Sequence, residues 1–131
     1  MKNFLIICFF YLFSCSSAKK HVIQNEINGT VLNIENETVS NVDVKFYNDG
    51  DDFGFVPKSL KTDENGFFSV KEVKVKGDYR ITNLLSEKLP SKIIFKKEGY
   101  LSDTIRIADY SNANKEEVMK MNVILKRVIN N

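Results

Sequence analysis

Few side chains in this chain are equipped for chemistry. His21 is the single imidazole, and Cys8 and Cys15 are the two thiols, which leaves almost no material for a soft-metal cage or a catalytic triad. Serine chemistry would need His21 as its general base, and His21 lies in a polar stretch near the N-terminus. The 17 acidic residues leave a carboxylate pair arithmetically open, but no spacing selects one. Asp49, Asp51 and Asp52 offer hard oxygen ligands to Ca²⁺, yet the Asp-x-Asp-x-Asp-Gly order of a calcium loop is missing and Asp-Gly clusters are ordinary turn composition. The residues therefore imply no cofactor, no metal and no enzymatic activity. Candidate binding groups are instead aromatic. Phe53 and Phe55 flank Gly54 in a loop, and two readings stay open: an exposed apolar knob for a protein or sugar partner, or a plug for the end of the fold. Tyr47 and Tyr100 are the rings on expected strand faces that a sugar could stack on, in a chain without Trp.

Residues 1–14 read as an export signal. Lys2 precedes the uncharged run Phe4 to Phe13, which is too short for the roughly 20 residues of a membrane-spanning helix. Leu12-Phe13-Ser14-Cys15 resembles the lipobox of bacterial lipoproteins, although Phe13 is bulkier than usual at its position. On that resemblance Cys15 becomes the first mature residue and carries the acyl chains, palmitate among them. Ser16 after the cysteine favours the outer membrane on the same basis. An ordinary secretory peptide cut near Ala18 is the other reading. Residues 15–26 then form a tether, with Lys19 and Lys20 placed to touch lipid headgroups or simply solvated. With both cysteines in the first 15 residues, the remaining domain must be held by core packing and not by a disulfide.

From Ile27 onward the hydrophobic period is two, the signature of strands with one wet face. Val42, Val44 and Phe46 alternate with polar residues, as do Val73 and Val75, and then Met119, Met121, Val123 and Leu125. Leu101, Ile105 and Ile107 share a face that Asp103 interrupts, which predicts an edge strand. Ile93-Ile94-Phe95 is apolar on both faces and predicts a central one. Asn65-Gly66 predicts a tight hairpin, and Gly77-Asp78 and Lys97-Glu98-Gly99 predict turns. Helical leanings are confined to Ser111–Met119. Strands with turns at this spacing predict an all-β, seven- to eight-stranded Greek-key sandwich over residues 27–127. A chain of 131 residues with net charge +2 is sized for one domain and lacks the basic field that nucleic-acid binding requires.

The order Ile27-Asn28-Gly29-Thr30-Val31, Val42-Asp43-Val44-Lys45-Phe46 and Thr62-Asp63-Glu64-Asn65-Gly66-Phe67-Phe68 resembles the carboxypeptidase regulatory-like domains. Gly77-Asp78-Tyr79-Arg80-Ile81 and Lys97-Glu98-Gly99-Tyr100 continue the likeness, with the Thr-Asp-x-Asn-Gly-Phe segment its most specific part. The resemblance implies a transthyretin-like (prealbumin-like) sandwich, common in exported proteins of Bacteroidetes and usually an accessory module. Two departures stand out, the acidic loop Asn48–Leu60 and the loop Leu84–Pro90, and loops of this kind are where a scaffold acquires its function. The expected role is a non-catalytic, lipid-anchored envelope protein binding another envelope protein, such as a TonB-dependent transporter. The alternative is a glycan-binding lipoprotein of a polysaccharide uptake system. Asp103-Thr104-Ile105 also resembles a short O-glycosylation acceptor.

Overall fold

The computed structural model describes residues 19–48, 54, 56–111 and 118–129. Alternating apolar side chains need a sheet with one covered face, and the chain meets that need with two sheets packed on each other. One has the order β5-β2-β9, from strands Phe67–Val70, Glu26–Asn33 and Val118–Leu125. The other has the order β4-β3-β7-β8, from Ser59–Lys61, Asp43–Tyr47, Lys92–Lys96 and Asp103–Arg106. The chain changes sheet after β2, after β4, after β6 and again after β8. Strands distant in sequence thus become neighbours, as expected of a Greek-key arrangement. The ladder of β2 with β9 is parallel and runs from Glu26 opposite Val118 to Asn33 opposite Leu125.

The core is the set of inward positions. Ile27, Val31, Phe68, Val70, Met121, Val123 and Leu125 from one sheet meet Val44, Phe46, Ile93 and Phe95 from the other. Phe68 and Phe95 pack across the layers with ring centroids 5.5 Å apart and planes tilted by 59°. Such a pair contributes about 0.5–1.5 kcal/mol beyond its buried area. Gly29 makes room for it: opposite Phe68 in the ladder, a Cβ at Gly29 would lie 2.3 Å from that ring. As expected from the pattern, β7 is central and β8 is an edge.

Several expectations are corrected. The segment read as a tether contains a strand, β1 (Lys20–Gln24), paired antiparallel with β6 (Val73–Lys76). The register slips between Val22 and Gln24, so β1–β6 continues the β2–β5 ladder past a bulge. The sandwich ribbon therefore begins before Ile27, and nine strands stand among the described residues where seven or eight were expected.

The Asn65-Gly66 turn is not a β-hairpin between paired strands, since β4 and β5 belong to different sheets. Asp63 closes it by accepting at Oδ1 from the N–H groups of Asn65 (2.9 Å) and Phe67 (2.8 Å). Gly66 takes φ +69°, whereas Asn65 stays at negative φ.

Residues Leu84 to Ser86, read as the start of a loop, belong to helix α1, Tyr79–Ser86. Asp78 caps it by accepting from the backbone N–H groups of Arg80 and Ile81, each at 3.0 Å. The helical leaning at Ser111–Met119 falls largely on residues 112–117, which lie outside the described residues; α2 spans Ala108–Ser111, and Val118 already belongs to β9. Leu101 faces solvent and does not share the inward face of Ile107.

Candidate functional site

The two ends of the sandwich differ in what they expose. At one end lie the β1–β6 ribbon, helix α1 and Asn48, whose Nδ2 donates to the Glu87 carbonyl at 3.2 Å. The other end gathers the β2–β3 turn, the turn between β7 and β8, and the chain following β9. It is this second end that carries an open apolar cleft.

Three separate segments build the cleft. After Asn33 the chain leaves β2 in a turn that Asn33 itself organises. Its buried Oδ1 accepts from the N–H groups of Glu35 (3.0 Å) and Glu37 (2.8 Å), and its Nδ2 donates to Glu37 Oε2 at 2.8 Å. That turn pushes Ile34 and Glu35 outward. The second segment is the turn Lys97–Tyr100, closed by the Tyr100 N–H donating to the Lys97 carbonyl at 3.1 Å. Gly99 there adopts φ +81°, as the third residue of a type II turn must. The third is the continuation of β9, where Arg127 forms a bridge with Tyr100. Leu101 N–H donates to the Lys126 carbonyl at 2.8 Å and Val128 N–H to the Gly99 carbonyl at 2.9 Å.

Together these segments enclose about 720 Å³, lined by Ile34, Leu101, Val128 and Ile129 with Glu35, Lys126 and Arg127. The apolar side chains remain 61%, 55%, 44% and 83% exposed, respectively. Leu101 and Lys126 also border a smaller, mixed polar and apolar hollow with Ser102, Asp103 and Ile124 on the outer face of β9. Exposed aliphatic groups gathered from distant parts of a chain mark a contact surface, whereas scattered single ones are unremarkable. Arg127 stands at the rim with its guanidinium 5.9 Å from the centre of the Tyr100 ring. Its Nε donates to the Tyr100 hydroxyl at 3.4 Å. This hydrogen bond, then the charges of Tyr100 and Glu35, raise its pKa above the usual arginine value.

The residues singled out from sequence are not brought together. Tyr47 lies at the Lys92 end of the β3–β7 ladder, with the Lys92 ammonium 5.9 Å from its ring centre. Tyr100 follows the turn beyond Lys96, so roughly 15 Å of strand separates the two rings. Tyr100 is half-buried against the core in a turn, not displayed on a strand face. Cys15, Phe53, Phe55, Asp49, Asp51 and Asp52 lie outside the described residues. His21 sits in β1 opposite Val75, at the end away from the cleft. Sequence reasoning missed the cleft because Ile34, Leu101, Val128 and Ile129 share no periodic segment. Their one signal was four aliphatic residues set among turn residues and at the close of a strand.

Fold and cleft define an all-β sandwich with an exposed apolar end. The chain matches no protein-family model and no curated protein. Among solved structures it is similar to 3-chlorocatechol 1,2-dioxygenase from Rhodococcus opacus 1CP, at 18% identity and TM-score 0.48, over 88% of this chain and 62% of that one. A catechol 1,2-dioxygenase from Acinetobacter sp. ADP1 is similar at 16% identity and TM-score 0.40, over 89% and 55%. The Bacillus anthracis TIE protein is similar at 21% identity and TM-score 0.39, over 79% and 17%. The chain spans less than two thirds of the length of each, and no activity passes to it from these likenesses.

Proposed function

We propose that this protein is a non-catalytic binding module, held at the outer membrane by a lipid on Cys15, that docks another envelope protein through the apolar end of its sandwich. The observation carrying this reading is the cleft of Ile34, Leu101, Val128 and Ile129, whose side chains stay in water although the core beneath is closed. Burying apolar surface contributes about 25 cal/mol per Å², so a partner covering these groups gains affinity from them directly. The cleft offers no constellation of general acid, base and nucleophile, which favours recognition over turnover. The resemblance of the chain to carboxypeptidase regulatory-like modules points the same way, and a TonB-dependent transporter is the partner class it suggests.

The glycan alternative draws less support. A sugar platform needs a free aromatic face, while Tyr47 has Lys92 and Tyr100 has Arg127 within 6 Å of the ring centre. The test is site-specific photocrosslinking in the native envelope. A crosslinker at Leu101 is expected to give a discrete protein adduct that one at Lys45, on the outer face of β3, does not. Equal labelling from both positions, or none from Leu101, would remove the module from this model.

A further inference from the structure

The cleft is also a gap in a sheet. β2 and β9 run side by side as far as Asn33 and Leu125, where β2 turns away while the chain beyond β9 runs on through the Arg127 bridge to Ile129. Beyond that point the continuing chain is paired on one side alone. Lys126 and Val128 direct their backbone groups to Leu101 and Gly99. Successive residues of a strand point their N–H and C=O groups to opposite sides, so Arg127 directs its own toward the side β2 has left. Among the described residues Arg127 makes no backbone hydrogen bond there. A strand-wide slot results, with an unpaired main-chain edge on one wall, Ile34 on the other, and Leu101 and Val128 between.

We infer that this slot takes an extended, acidic peptide segment of another protein, which pairs with the Arg127 backbone where β2 stops. Three features select that occupant. Unpaired N–H and C=O groups beside an apolar surface call for a ligand with main-chain hydrogen bonds, which an acyl chain lacks. An extended strand places alternate side chains on one face, matching a slot with an apolar floor. Among the residues lining the slot Lys126 and Arg127 outnumber Glu35, so complementary charge on the part of the ligand inside it is negative. The inference rests on the binding-module reading and gives it a mode.

The full-length lipidated chain in nanodiscs would be titrated with a synthetic peptide alternating valine and threonine between terminal aspartates. Saturable binding is expected, with amide resonance shifts concentrated at Ile34, Arg127 and Val128. N-methylation of alternate peptide bonds removes the pairing donors without touching the protein, and should weaken binding by about tenfold or more. Leu101→Asp, at an exposed position that folding does not need, should do the same, and lysine termini should bind more weakly than aspartate. Equal binding of the N-methylated peptide, shifts centred elsewhere, or no saturation overturns the inference. So does concentration-dependent dimerisation lost in Leu101→Asp, because the occupant is then a second copy. Crosslinks from Leu101 that persist while the peptide fails remove strand pairing but leave the module reading; loss of both removes that reading too.

Discussion

Two glycines with positive φ separate conformational from steric demand. Gly66 (φ +69°) and Gly99 (φ +81°) both use the left-handed region, but a Cβ at Gly66 would lie 2.6 Å from the Val31 carbonyl, while at Gly99 nothing lies within 4 Å. Gly99→Ala should therefore cost only the backbone term, about 1–2 kcal/mol. Gly66→Ala should cost clearly more, because the clash adds to it, and equal losses in urea denaturation would refute this distinction. A third residue tests polar burial. Thr62 is 5% exposed, and its hydroxyl accepts from the Val42 N–H at 3.0 Å while donating to the Val39 carbonyl at 3.1 Å. Thr62→Val keeps the shape but strands both groups, an expected loss of about 1–3 kcal/mol, whereas Thr62→Ser keeps the bonds and should lose less. The importance of Gly66 could be read from the Asn-Gly pair. That of Thr62 could not, since its partners are some twenty residues away and only the fold brings them together.

At the scale of elements, legibility followed burial. The inward residues of β3, β6 and β9 were plain because a half-buried strand must alternate. The sequence Lys20-His21-Val22-Ile23-Gln24 looked like tether because β1 pairs in a two-stranded ribbon and leaves most of its side chains partly or fully exposed. Helix α1 escaped because it is short: Ile81, Leu84 and Leu85 stand at helical spacing, but over only eight residues, none of them buried. What fixes α1 is its cap. Its Thr82 hydroxyl also donates to the Asp78 carbonyl at 2.8 Å, so the first turn is doubly tied. Asp78→Ala should remove the side-chain bonds to Arg80 and Ile81 and cost about 1 kcal/mol of local stability. Because α1 buries so little, the loss should appear as faster hydrogen exchange across residues 79–86, with the global unfolding midpoint almost unmoved. A midpoint that falls by the full amount would mean α1 folds as one unit with the sandwich.

The whole molecule is polar in arrangement. Strands β1 and β2 together run from Lys20 to Asn33 through one bulge, a path of about 40 Å at 3.3 Å per residue. Their start lies at the beginning of the described residues, and their finish is the turn that shapes the cleft. A lipid on Cys15 would therefore hold the β1–β6 end near the bilayer and present Ile34, Leu101 and Val128 away from it. On the proposed anchoring, the arrangement suits a partner reached across the envelope space better than the membrane itself. An apolar cleft beside the bilayer would instead face lipid, where its side chains could insert without any protein. Fluorophores attached at position 20 and at position 101 of the lipidated chain distinguish these geometries. In vesicles carrying a headgroup quencher, the label at 20 should be quenched and the label at 101 should not, and Cys15→Ala should abolish the quenching at 20. Strong quenching at 101 in the lipidated chain would mean that the sandwich lies down on the membrane, with the cleft as a lipid contact and not a protein-docking end.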